Sequence, residues 1–450
     1  MNKKELTGLL IVIMLIPLNS VISSTNHVNS TSSSFECSTL YFFNGIRIYN
    51  STISEELYLE TPGNISLNNG FEQEVIHLLS YNVEYNESAK LFMFRVEHNE
   101  SFEGFFISKI IVCNKPLKES LSLLVDSIRY PTRKTYNETT IPEEVRQMYL
   151  KSPNPKVVEV VVPAFEEWFK QTYGVSVDNA SLIGIASTAA LFIYGTFIEY
   201  SAGATPRSIE EVVEMRKGDC DDMSRVLVEL LNYYNIPAIV AYGYVYISNF
   251  KYDIPVENVT YFYLNNGPHA FTMAYIPGYG WLSLDLLAGS LLNYPFVFEG
   301  YTRDTSVSRE EVEEFISLHR ALKAKQVIAI LSEKELSELI GSKLDFNSTY
   351  MFFNSVMKEE IVESTTNTTT LNTSSATPEN SVNITSGVVS IDTQVTTAEK
   401  QNSVSLITAH SSETSTREER SNVVLYVLIA CLLVLMFVSI LHLHRIRSMQ

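Results

Sequence analysis

Residues 346–421 constrain the fold more than any other stretch. Ser, Thr and Asn dominate them, aromatics all but stop after Phe353, and no apolar period survives, so they offer nothing to bury against a core. The stretch reads as a disordered, glycosylated stalk. Beyond it Val423–Leu441 is an uncharged apolar run long enough to cross a bilayer, which places a transmembrane helix at 422–442 and a tail at 443–450. At the opposite end, Met1-Asn2-Lys3-Lys4, the apolar run Leu9–Leu18 and small residues near Ser23 have the layout of a secretory signal at 1–23. Folding is thereby confined to 24–345. The expected location is the cell membrane, single-pass, with the folded part outside.

Charge narrows the partners. The 450 residues carry 33 Lys+Arg against 51 Asp+Glu, a net charge of −18, and acidity without a basic patch excludes nucleic acid as a main partner. Four cysteines are too few for a disulfide-stapled scaffold or a multi-cysteine metal centre. Cys37 and Cys113 share the N-terminal third and form the expected disulfide, worth about 4 kcal/mol if the geometry allows it. Cys431 falls in the membrane run, which leaves Cys220 as the odd thiol of an oxidising compartment. Asn-X-Ser/Thr sequons occur at Asn29, Asn50, Asn64, Asn86, Asn99, Asn137, Asn179, Asn258, Asn347, Asn367, Asn372 and Asn383, candidates for glycosylation.

Within the folded part, 24–138 reads as a small β-rich domain, with Leu91–Glu97 and Phe105–Val112 as a hairpin across His98-Asn-Glu-Ser101. From 139 to 300 the pattern turns to helices followed by strands, and 301–345 reads as helical packing material opened by a capping box at Ser308 and Glu311.

Chemistry concentrates between Gly218 and Asp285. Met223, Val226, Leu227, Leu230, Leu231 and Tyr234 recur at 3,4 spacing, Asp219 is a natural N-cap, and Asn235 and Pro237 stop the helix. Cys220 therefore sits in a first helical turn, where the dipole favours thiolate, although Asp221 and Asp222 oppose that locally. An apolar strand, Ala238–Ile247, follows, then a polar loop of about twenty residues, then Pro268-His269 through Trp281 to Asp285. The turn Pro277–Gly280 puts His269 and Asp285 on two arms of a hairpin. They share a face only if opposed residue numbers sum to an even value, which requires an odd-length loop or a bulge. Asp285 can then hold the imidazole of His269 while its other nitrogen faces Cys220.

The ordered set Gly218-Asp219-Cys220-Asp221-Asp222, Gly243-Tyr244, His269-Ala270-Phe271 and Gly280-Trp281 leading to Asp285 resembles the transglutaminase-like superfamily. The resemblance spans roughly 140–300 and implies an α+β, papain-like core with Cys220, His269 and Asp285 as catalytic triad. It departs from the family at Phe271, often Trp, and at Leu286, often Pro; neither touches the triad. The Cys220 N–H supplies one oxyanion donor. Tyr200 is the candidate for the second, with Asp219 at the cleft, while Trp168 is distant in sequence. No cofactor is expected; some relatives bind calcium near acids equivalent to Asp221 and Asp222, which makes these two the metal candidates.

The expected activity is acyl transfer from a protein or peptide at the cell surface, leaning to hydrolysis over crosslinking because water is the default acceptor. The alternatives are a non-catalytic surface module that keeps the fold for binding or structure, and a peptide N-glycanase.

Overall fold

The computed structural model describes residues 36–358, apart from 68–69, 116, 135–139, 204, 287–294 and 342–343. The expected signal, membrane helix and tail, and the sequons at Asn29, Asn137, Asn367, Asn372 and Asn383, lie outside the described residues. No helix among the described residues is long and apolar enough to cross a membrane.

The chain begins with β1 (Glu36–Ile48), β2 (Glu55–Leu59), β3 (Ile65–Leu67), β4 (Phe71–Tyr81), β5 (Glu84–Asn86), β6 (Leu91–Val96) and β7 (Phe102–Asn114). Next come α1 (Leu117–Arg129), α2 (Glu143–Tyr149), α3 (Val162–Tyr173), α4 (Leu182–Phe192), β8 (Glu199–Tyr200), α5 (Ile209–Met215), β9 (Lys217–Gly218) and α6 (Cys220–Tyr233). The rest is β10 (Ala238–Val256), β11 (Val259–Ile276), β12 (Gly280–Ser283), β13 (Phe296–Thr302), α7 (Arg309–Ala321), β14 (Ala324–Leu331), α8 (Glu333–Leu339) and α9 (Phe346–Lys358).

The architecture is mixed α+β around one large sheet, ordered β13-β10-β11-β14-β1-β7-β4-β3, with β12 paired to β11. β14 is the join. It runs parallel to β11 from Val259↔Ala324 to Leu264↔Ala329 and antiparallel to β1 from Tyr41↔Leu331 to Ile48↔Ala324. The boundaries expected after residues 138 and 300 therefore do not divide the sheet, because early, middle and late strands hydrogen-bond to one another. Nor is 301–345 wholly helical. All but one residue of β14 is buried, and a strand hidden on both faces shows a continuous apolar run without the period of two that would distinguish it from helix.

Three further expectations change. β6 and β7 do not form a hairpin: β6 pairs with β2 and β5, while β7 pairs with β1 and β4. β7 carries Phe105, Phe106 and Ile107 in succession, all fully buried, and so belongs inside a two-sided sheet. The polar loop expected after Ile247 is strand instead, since β10 continues to Val256 and β11 starts at Val259. Ile254, Val256, Val259, Tyr261 and Tyr263 are buried there at alternate positions, an alternation obscured by Asp253, Pro255 and the flanking asparagines. Finally, the stalk cannot start at 346, because 346–358 is α9 with Phe352, Phe353 and Met357 buried. Phe346, Tyr350, Phe353 and Met357 follow helical spacing, a stripe too short to stand out beside the polar run.

Three apolar clusters result. α3, α4 and α6 pack with Ala238, Val240, Ala270 and Ala274 on one face of β10 and β11. The small β2-β6-β5 sheet covers part of the opposite face. α8 and α9 cover Phe43, Phe105, Val327 and Ala329. Cys37 and Cys113 face each other in the β1–β7 register and are disulfide-bonded.

Candidate active site

α6 starts and stops as its sequence dictates. The Asp219 N–H donates to Asp222 Oδ2 at 3.3 Å, Asn235 takes φ 57°, and Pro237 precedes β10. Cys220 is thus the first residue of the helix and is 8% exposed.

β11 and β12 are joined by the three residues Pro277, Gly278 and Tyr279, with φ 81° at Gly278 and φ 97° at Gly280. The register Ile276↔Gly280 through Met273↔Ser283 sums to an even number, as a shared face requires. The Leu284 N–H extends the ladder to Thr272 O at 2.9 Å, and His269 Nε2 lies 2.9 Å from Asp285 Oδ2. Asp285 is buried, so this hydrogen bond fixes the imidazole with Nδ1 free. Opposite His269 stands Gly243, with φ 155°; a Cβ there would meet Val297 O at 2.1 Å. Only glycine lets β13 approach at that point.

The thiol is seated on this strand. The Ala270 N–H hydrogen-bonds to Cys220 sulfur, so the sulfur lies at the backbone of the residue after His269. Burial pushes the thiol pKa up, followed by the charges of Asp221 and Asp219; the Ala270 and Asp221 amides act the other way. The helix start therefore does not by itself yield the thiolate expected from the dipole. Desolvation outweighs it, and the resting thiol is neutral.

Asp219, Asp221 and Asp222 are each 1% exposed and gathered so closely that their carboxylate oxygens lie within 4.8 Å of one another. Two guanidiniums neutralise them. Arg225 donates to Asp221 at 3.1 Å and Asp222 at 2.5 Å, while Arg207 donates to Asp222 at 2.5 Å and stands 3.7 Å from Asp219. Burial, then repulsion from Asp221, raises the Asp219 carboxyl far enough to keep its proton at neutral pH. Two carboxylates then face two guanidiniums. This donor set fits calcium poorly, since the ion takes six to eight oxygens and here two guanidiniums hold Asp221 and Asp222, leaving Asp219 Oδ1 as the carboxylate oxygen with no partner.

Tyr200 pairs with Gly218 across β8 and β9, and the Ser201 N–H donates to Gly218 O at 2.8 Å. Burial and the charges of Cys220, Asp219 and Asp221 push its phenol up to about 12, so it keeps the proton a donor needs. Trp168 packs instead among Phe165, Tyr173 and Phe192 in the helical core.

Sequence reasoning missed several supports. Tyr194, in the π-helical turn Ile193–Phe197, lies 3.0 Å from Ser224 Oγ, and Ser224 donates to Cys220 O at 2.6 Å. Thr272 donates to Ser224 O at 3.1 Å, so three elements meet behind the thiol. Ser224 and Arg225, four and five residues after Cys220, were legible as turn neighbours. Tyr194 and Arg207 were not, because nothing local ties them to Cys220.

Residues 184–286 match the sequence profile of the Transglutaminase-like superfamily. Among solved structures, a Cytophaga hutchinsonii protein provisionally named a cysteine protease aligns over 70% of this chain and 94% of its own, at 14% identity and a TM-score of 0.38. No curated protein matches.

Proposed function

We propose, from the match of residues 184–286 to the transglutaminase-like superfamily, that the chain is a membrane-anchored, extracytoplasmic acyl-transfer enzyme with Cys220 as nucleophile, acting chiefly as a peptidase. The observation that carries this reading is the His269–Asp285 hydrogen bond of 2.9 Å beside a sulfur held by the Ala270 amide. Since the resting thiol is neutral, His269 works as general base during attack and not as one half of a standing ion pair.

Cys220 sulfur bonds to the substrate carbonyl carbon while its proton passes to His269. The oxygen gains negative charge beside the Cys220 N–H and the Tyr200 hydroxyl. Collapse breaks the C–N bond, and His269 returns the proton to the departing amine, leaving a thioester. Water attacks that thioester, giving its proton to His269; the C–S bond breaks, an acid is released and the thiol is re-formed. Asp285 keeps the imidazole in one tautomer throughout. An amine in place of water would make the same site a crosslinker. Hydrolysis is favoured because water needs no second pocket.

The outside location is supported by exposure of every sequon asparagine among the described residues: Asn50, Asn64, Asn86, Asn99, Asn179, Asn258 and Asn347. The Cys37–Cys113 disulfide agrees with it. A second reading, a surface module that binds without turnover, draws on the burial of Cys220, since an inert thiol is buried too. Cys220→Ser separates the two. Peptide hydrolysis by the full chain in detergent is expected to disappear in the variant; wild-type protein with no turnover, and a variant with unchanged partner binding, would favour the module.

A further inference from the structure

The two segments that bring the reacting groups together each carry a tyrosine at the same offset. Tyr200 is paired with Gly218, two residues before Cys220, and is 53% exposed. Tyr252 reaches over Gly267, two residues before His269: a Cβ built on that glycine would lie 3.7 Å from Tyr252 Oη and 3.9 Å from Phe250 Cε1. Tyr252 is braced by Tyr263, with ring centroids 5.0 Å apart, and flanked by the exposed Phe250 at 5.0 Å. Gly267 and His269 are two apart on one strand and so share a face, which sets the Tyr252 hydroxyl on the His269 side of the sheet, near enough for Cys220 and Tyr200 to act on it electrostatically.

The walls so formed are uncharged, since burial raises both phenols above their ordinary value. The acids closest in sequence to Cys220 are buried behind it and neutralised by Arg207 and Arg225, so they offer no charge to an incoming chain. Gly267 leaves the floor beneath Tyr252 and Phe250 without a side chain, and that space beside two rings suits a flat or branched hydrocarbon group.

Resting on the reading of Cys220 as nucleophile, we infer that Tyr200 and Tyr252 form the walls of an acyl-donor subsite that takes an uncharged aromatic or branched apolar side chain on the residue whose carbonyl is attacked. The long β10–β11 hairpin then has a function, since its distal half delivers Tyr252 to the cleft. Burying such a side chain is worth roughly a 10- to 100-fold preference over glycine.

Two peptidyl diazomethyl ketones that differ only in Phe or Gly next to the reactive carbon test this on the full chain in detergent, with iodoacetamide as reference. Sulfur attaches to the methylene carbon as dinitrogen leaves, and the thiol proton passes to that carbon, so labelling is read as a mass increment on Cys220. The expected result is Phe over Gly by at least about 10-fold, collapsing toward equality in Tyr252→Ala and Tyr200→Ala. Tyr252 supports the hairpin, so a Tyr252→Ala protein that fails to fold leaves the decision to the exposed Tyr200. Equal Phe and Gly rates, with iodoacetamide still labelling Cys220 in a His269-dependent way, would overturn the subsite and keep the nucleophile. Failure of all three reagents at Cys220 would overturn both.

Discussion

Phe353 and Arg225 are both almost wholly hidden from water, yet their surroundings are built on opposite principles. Phe353 docks α9 onto Phe43 and Phe105, and Gly45 makes room for it, since a Cβ there would stand 2.9 Å from the Phe353 ring. The one charged group at that ring is Arg47, whose guanidinium lies 5.2 Å over it and is paired with Glu103. Arg225 lies in a knot of three acids and a second arginine, where each charge is costly to bury and is tolerated only because the others are present. The apolar pocket stabilises the sheet. The polar knot sets the charge around one thiol, and its removal changes chemistry as well as stability.

The comparison can be broken at either end. Ending the chain at 345 would remove Phe352, Phe353 and Met357 together, at about 2–5 kcal/mol each, a sum that rivals the whole stability of an ordinary domain. Loss of a cooperative melt by circular dichroism is expected, whereas ending the ectodomain at 358 keeps it. Arg225→Ala would strand Asp221 and leave Asp222 to Arg207 alone, costing about 3–5 kcal/mol in denaturant melts and leaving the thiol less acidic still.

Asp219→Asn sharpens the contrast most gently. In the folded chain the Asp219 carboxyl is pushed up from 3.8 to about 10, so between those two pH values the folded state holds more protons than the unfolded one. Stability therefore falls as pH rises through that window. Asparagine removes the titration and still has an oxygen for the Gly203 N–H, so the fall in stability between pH 5 and pH 8 is expected to flatten. An unchanged slope would place the retained proton elsewhere.

How much of this was legible follows the same division. α6, its cap, its stop and the odd three-residue turn beneath Asp285 are local matters, written in Asp219, Asn235, Pro237 and Pro277–Gly280, and they were readable in advance. The register that decides whether His269 and Asp285 meet was reducible to parity. β14 was not readable, because burial on both faces erases the strand period, and neither was α9, whose apolar stripe spans only thirteen residues beside a long polar run. Tyr252 and Arg207 escaped for another reason. Their importance comes from the β10–β11 extension and from the fold around α6, which bring them to Cys220 across 32 and 13 residues of chain.

The central claim is that Cys220, His269 and Asp285 act as one unit although the thiol rests neutral. The rate of iodoacetamide alkylation of Cys220 against pH, in the full chain and in His269→Ala, tests it most directly. The account predicts an apparent pKa above the free-thiol value of about 8.5 in the wild type, with reaction near pH 7 that slows by roughly 100-fold or more when His269 is removed. Identical profiles in the two proteins would contradict it.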